Sequence, residues 1–195
     1  MKKILLLLSN GFEMLEASPF TDIFGWNSIV GSKNIQIVTG GIHPELTCTF
    51  NFKVIPEINL SVNKINVKDF SALVIPGGFG FKNFFTDIKS DIFKEIIQEF
   101  NNQNKPILGI CTGVFALGEA GILENIPATT YLLDNERYFK QLQNFKAISL
   151  KKDIIIHKNI ITSSGPKTAF DLAWILLETL STKETVRKVK KEMGF

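Results

Sequence analysis

The 195-residue chain holds two cysteines, two histidines and no long apolar run, and each scarcity closes off a class of protein. Cys48 and Cys111 are too few for a disulfide framework. They sit among apolar residues rather than in cysteine-rich loops, which points to a reducing, cytoplasmic setting. Two histidines and two cysteines, nowhere close in sequence, make no metal-ligand spacing. Neither a P-loop nor a Rossmann glycine pattern occurs, so the expectation is a protein without metal or cofactor. No segment approaches the ~18 consecutive apolar residues of a membrane span. The apolar run at residues 4–8 falls short of the ~7–15 residues of a signal-peptide core.

An excess of charge is also lacking. The 22 Lys and Arg against 19 Asp and Glu give +3, and the five basic and two acidic side chains of residues 183–195 account for that excess. The near-neutral remainder offers no basic face to a phosphate backbone, so nucleic acid is not an expected partner. Hydrophobic residues at 45% and charged residues at 21% mark a folded chain rather than a disordered one. No repeat, low-complexity tract or linker interrupts it. The expectation is one domain over residues 1–195, with a basic helix near 183–193 packed on it through Val186, Val189 and Met193.

What is present is an alternation of strand-length apolar runs with helix-length amphipathic stretches, the pattern of an α/β fold: a mostly parallel sheet with helices on both faces. Strands are predicted at residues 3–8, 35–38, 72–75 and 106–110, the first apolar enough to be buried on both sides. Residues 47–58 alternate in part and suggest a half-exposed edge strand or hairpin. Residues 153–156 and 160–162 suggest a second hairpin around His157. Helices are predicted at residues 14–30, 89–100, 112–120 and 168–180, with Gly121 ending the third. The pattern weakens after Ile122 through residues 125–131, and another amphipathic run then reaches about Leu142.

Cys111 is the most informative residue. It follows the strand Ile107-Leu108-Gly109-Ile110 and reads Gly109-Ile110-Cys111-Thr112-Gly113, the G-x-C-x-G spacing of a nucleophile elbow, whose small residues allow a sharp turn to lift the nucleophile above the sheet. A helix N-terminus beside it would favour the thiolate and lower the pKa. A buried cysteine can equally be a small core residue; the flanking glycines favour the nucleophile. Pro76-Gly77-Gly78-Phe79-Gly80 ends a neighbouring strand on the same sheet edge, where its N–H groups could face Cys111 as an oxyanion hole. A third loop carries Glu13 and Glu16, either of which could share a proton with the thiol or simply cap the following helix. His43 and His157 lie in predicted turns, away from Cys111 in sequence.

The motifs Gly11-x-Glu13-x-x-Glu16, Val74-Ile75-Pro76-Gly77-Gly78, Gly109-Ile110-Cys111-Thr112-Gly113, Ala120-Gly121-Ile122-Leu123, Ala128-Thr129-Thr130 and Thr162-Ser163-Ser164-Gly165-Pro166 together resemble the ThiJ/PfpI superfamily, also called the DJ-one family. The resemblance implies a flavodoxin-like, class I glutamine-amidotransferase-like three-layer sandwich, commonly a homodimer. It implies that Cys111 is a reactive nucleophile, that Glu16 is a buried protonated acid bonded to it, and that Gly77, Gly78 and the amide of Thr112 form the backbone cradle.

The chain also departs from that pattern. Thr112 stands where protease-like members carry a histidine, so peptidase activity is not expected. Tyr131 stands where glyoxalase and deglycase members carry another, and a phenol is a poor general base at neutral pH. Trp26 and Phe50 align with a small-anion pocket of basic residues, which implies a more apolar pocket here. The Cys-Thr-Gly and Ala-Gly-Ile-Leu elements are similar to the isocyanide-hydratase branch, whose His-Trp is not matched.

The leading expectation is a cysteine-dependent protein acting on a small electrophile, hydrolase- or lyase-like, by addition of the thiolate to a carbonyl or carbon–nitrogen centre. The alternative is a non-enzymatic redox sensor of the oxidative-stress response in which Cys111 is oxidised and read by a partner. A third reading has the basic tail helix docking on an acidic partner.

Overall fold

Five apolar residues in succession suit a strand covered on both faces. In the computed structural model of the chain, which describes residues 1–80 and 82–195, β1 (Lys2–Leu8) is such a strand. It lies in a seven-stranded sheet with β2 (Ile35–Gly41), β3 (Ile58–Asn59), β4 (Ala72–Ile75), β5 (Ile107–Ile110), β6 (Ile154–His157) and β7 (Ile160–Ser163), in the order β6-β7-β5-β4-β1-β2-β3. Only β6 runs antiparallel to its neighbour. The register sets Ile4 beside Ile37 on one side and Ala72 on the other.

The helices are α1 (Met14–Val30), α2 (Phe84–Asp87), α3 (Asp91–Asn102), α4 (Val114–Glu119), α5 (Arg137–Gln141), α6 (Ala169–Leu180) and α7 (Lys183–Met193). The two-residue period of β1 divides the core. Ile4, Leu6 and Leu8 pack with Phe20 and Ile23 of α1 and with Leu172 and Leu176 of α6, and Val186 and Val189 of α7 join that layer. Leu5 and Leu7 face Phe93, Ile97 and Phe100 of α3 and Leu117 of α4. The result is the expected α/β sandwich of three layers. Among the described residues no helix is long and apolar enough to cross a membrane.

Side chains and backbone set the helix ends. Ser90 Oγ accepts the Phe93 N–H at the start of α3, and Thr182 Oγ1 accepts the Thr185 N–H at 3.1 Å at the start of α7. α1 runs unbroken through Pro19. Gly121 follows α4 with φ 76, as a helix-ending glycine should.

Of the two alternatives for residues 47–58, the hairpin is the one formed: Leu46–Thr47 pairs antiparallel with Lys53–Val54 in a short ladder, and β3 joins the edge of the main sheet. Buried Leu46 and Cys48 anchor the ladder, while Asn51 in the left-handed region turns the chain. Over residues 122–142 the chain makes a two-residue ladder with Ile148–Ser149, then three successive left-handed residues, Asp134, Asn135 and Glu136, before α5. Such backbone has no hydrophobic period to read.

The chain passes from β1 to β2 on one side and then to β4 on the other. The carboxyl ends of β1 and β4 therefore flank the switch point where open α/β sheets hold their sites. Close packing fixes this edge: a Cβ on Gly113 would lie 2.5 Å from the Ile75 carbonyl oxygen. Gly113→Ala is expected to cost about 1–3 kcal/mol in urea unfolding. Gly25→Ala, in α1 with open space around it, is expected to be neutral or to stabilise by up to about 1 kcal/mol. Equal effects of the two substitutions would contradict this packing.

Candidate active site

Cys111 takes the first position after β5 with φ 55, left-handed backbone that a non-glycine residue adopts only where its surroundings hold it. Thr130 Oγ1 donates to the Cys111 carbonyl at 2.6 Å from a fully buried position. Gly77 approaches from β4: a Cβ there would come within 2.9 Å of the Cys111 Cβ and 2.8 Å of the Thr112 nitrogen. The chain then makes a 3-10 turn over Cys111–Gly113 and only afterwards α4, so the predicted helix starting at Thr112 begins two residues later and is six residues long.

That short helix does not deliver the expected low pKa. Burial, joined by the neighbouring Glu16 carboxyl, pushes the thiol well above its ordinary value and outweighs the downward pull of the Thr112 backbone N–H and side chain. Cys111 is 8% exposed, and it lines a cleft.

Glu16 lies in the first turn of α1, behind Glu13, whose carboxyl caps the helix by accepting the Leu15 N–H. It is completely buried, and its Oε2 accepts the Gly77 N–H at 2.6 Å. Burial pushes its pKa up to about 8, against the opposing pull of the Gly77 N–H and the Cys111 thiol; Glu13 adds a smaller upward push. Near neutral pH the carboxyl therefore keeps its proton. Oε2 is occupied as an acceptor, so the proton belongs on Oε1. That oxygen is buried with no other hydrogen-bond partner among the described residues, and the carboxyl interacts directly with the Cys111 thiol. Burial also raises the Glu13 pKa.

The glycine loop is held against the first loop by the Phe12–Gly78 bridge and by the Glu13 N–H, which donates to the Gly77 carbonyl at 2.7 Å. A Cβ on Gly78 would lie 2.2 Å from the Gly11 carbonyl oxygen. The expected oxyanion cradle needs correction here. The Gly77 N–H is bonded to Glu16, and the Gly78 N–H donates to Thr112 Oγ1 at 2.8 Å, whose hydroxyl donates back to the Gly78 carbonyl at 2.5 Å. Both donors hold the site together rather than facing a ligand. Of the three expected groups, the Thr112 amide alone acts on the sulfur.

A cleft of about 450 Å³ opens over Cys111, Glu16, Gly78 and Thr112, and Tyr131 lines it as expected. Trp26 and Phe50 do not. Trp26 lies ten residues beyond Glu16 along α1, roughly 15 Å at helical rise, and is 39% exposed. Phe50 occupies the outward tip of the short ladder's turn and is 71% exposed. Alignment by sequence position put both in the pocket; neither lines the cleft.

Neither histidine lines the cleft. His43 Nε2 lies 3.0 and 3.1 Å from the two carboxylate oxygens of buried Asp87, and His157 ends β6. Among the described residues no three His, Cys, Asp or Glu side chains converge as a metal would require.

Sequence reasoning missed Tyr138, Asp153 and Lys167, all of which line the cleft. Lys167 directly follows the Ser163-to-Pro166 motif and was within reach of it. Asp153 and Tyr138 come from stretches with no motif.

The DJ-1/PfpI family model matches residues 2–179. Protein dj-1beta of Drosophila melanogaster is 24% identical over 192 residues, spanning 97% of this chain and 95% of its own. The glutathione-independent glyoxalase DJ-1 of Schizosaccharomyces pombe is 24% identical over 201 residues, spanning 100% and 99%. Among solved structures, Schizosaccharomyces pombe DJ-1 superimposes with a TM-score of 0.79 at 23% identity over 99% of both chains. Drosophila melanogaster DJ-1beta does so at 0.77 and 21%, over 98% and 97%. These structures share the flavodoxin-like sandwich described above, and with the family model matched from β1 to the end of α6, the chain belongs to the DJ-1/PfpI family.

Proposed function

We propose that this protein acts on a small carbonyl electrophile through Cys111, with Glu16 moving the proton. The observation that carries the reading is a cysteine in strained left-handed backbone, open to a cleft and directly beside a buried carboxyl that keeps its proton near neutral pH.

Addition of the thiol to an aldehyde forms a sulfur–carbon bond and opens the carbonyl π bond. One proton moves from sulfur to oxygen, and nothing is oxidised or reduced. A group with a pKa of about 8 suits that transfer, since it gives up and regains a proton near neutral pH. Glu16 gives its Oε1 proton to the developing alkoxide and recovers the one that leaves sulfur.

A relative named as a glutathione-independent glyoxalase makes an α-oxoaldehyde the first substrate to try. In such an adduct the carbon-bound proton moves to the adjacent carbonyl carbon through an enediol. The hydroxyacyl thioester so formed is hydrolysed to a hydroxy acid and the free thiol. Tyr131 supplies no imidazole for that shift, so it falls to the carboxyls of Glu16 and Glu13.

Turnover of methylglyoxal to lactate tests the reading. Cys111→Ser is expected to lose about a thousandfold or more in kcat/KM, and Glu16→Gln about 10²–10⁴-fold with its fold intact. Turnover that survives in Cys111→Ser would overturn the proposal.

Glu16 also predicts a pH effect on stability. From the ordinary carboxyl range up to about pH 8 the folded state holds a proton that the unfolded state has released, so stability falls as pH rises through that window and levels off above it. Urea unfolding at a series of pH values should show this decline in the natural protein and its loss in Glu16→Gln; parallel curves would mean that Glu16 titrates normally.

A further inference from the structure

Building on the reading of Cys111 as nucleophile, we infer that the cleft selects neutral carbonyl electrophiles bearing an aryl group and turns away anionic ones, with Asp153 cancelling the charge of the cation at its rim. Tyr131, Leu132, Leu133, Tyr138 and Pro166 are among the residues that line the cleft with Cys111. Tyr131 and Tyr138 meet edge to face, ring centroids 6.2 Å apart at 67°. A third ring can continue that arrangement, since aromatic pairs favour edge-to-face and offset contacts. At about 450 Å³ the cleft falls within the ~300–1,000 Å³ of pockets that enclose whole small ligands, and a three-carbon aldehyde would leave most of the apolar wall in contact with water.

The charges point the same way. Lys167 is the cation lining the cleft, and its ammonium sits 2.9 Å from the carboxylate of Asp153. Ser164 Oγ donates to Asp153 Oδ1 at 3.1 Å, and these two bonds hold the Asp153 carboxyl below its usual range, so it stays ionised. A carboxylate on the substrate would have to displace Asp153 from Lys167 or lie beside the ionised Asp153 carboxylate. A neutral aryl ketone or aldehyde meets none of these costs.

Alkylation of Cys111 in the full chain separates this selectivity from turnover. Iodoacetamide, iodoacetate and phenacyl bromide supply a neutral, an anionic and a neutral aryl probe. The rate of each is divided by its rate with 2-mercaptoethanol. Relative to iodoacetamide, phenacyl bromide should gain about tenfold or more and iodoacetate lose about tenfold. Asp153→Asn should restore iodoacetate at least about threefold, and Lys167→Gln, which leaves Asp153 without its cation, should depress it further. In turnover, phenylglyoxal should exceed methylglyoxal in kcat/KM by about tenfold, with glyoxylate below both.

Free-thiol ratios at a reactive Cys111, or an iodoacetate rate unmoved by Asp153→Asn, would overturn this inference and leave the proposed function standing. A Cys111 unreactive to all three probes would overturn both.

Discussion

One hydrogen bond, from the Gly77 backbone N–H to Glu16 Oε2 at 2.6 Å, joins two of the pieces of chain that make the site, and the Thr112–Gly78 bonds bring in the third. Together they fix the first turn of α1 against the loop after β4, and that loop against the elbow after β5, where Gly77 leaves room for nothing larger than hydrogen beside Cys111. The Gly77 bond also bears on the ionisation of the carboxyl. A buried carboxylate needs several donors or a cation to stay charged, and Glu16 has one backbone donor and a thiol. The proton stays, on a carboxyl that lies beside the Cys111 thiol.

The same economy of donors shapes what the site can do. The Gly77 and Gly78 amides stabilise the resting structure, so no free pair of backbone N–H groups from that loop awaits an oxyanion. A reaction here is better served by protonating the substrate oxygen as the bond forms than by housing it as an anion. Addition of a thiol to an uncharged carbonyl, beside an acid with a pKa of about 8, has that character.

Much of this was legible in the sequence, and the boundary of what was legible is physical. The fully apolar run of β1 and the glycines around Cys111 are local signals, and both led to the right element and the right turn. Glu16 was legible only through its motif, since its burial is made by residues from β4 and β5. The titration of Cys111 was not legible at all: an elbow spacing says where the thiol sits, whereas its pKa depends on how completely Gly77, Thr112 and Glu16 enclose it. Trp26 and Phe50 fail for a related reason, because distance along a helix or around a turn carries a residue away from a site that sequence position alone places it near. Residues 131–138, which wall the cleft, follow no period and owe their course to left-handed backbone at Asp134, Asn135 and Glu136.

The placement of β1 has a consequence for how the chain is made. Its two apolar faces are covered by different parts of the sequence, one by α3 and α4, the other by α1 with α6. Lys2 Nζ donates to the Leu180 carbonyl at 2.5 Å, closing the start of β1 against the end of α6 across 178 residues. As the chain leaves the ribosome, Ile4, Leu6 and Leu8 have only α1 for cover until residues 169–180 emerge. One of the first strands made is thus sealed on this face only near the end of synthesis, an interval in which a holding chaperone has an apolar stretch to cover.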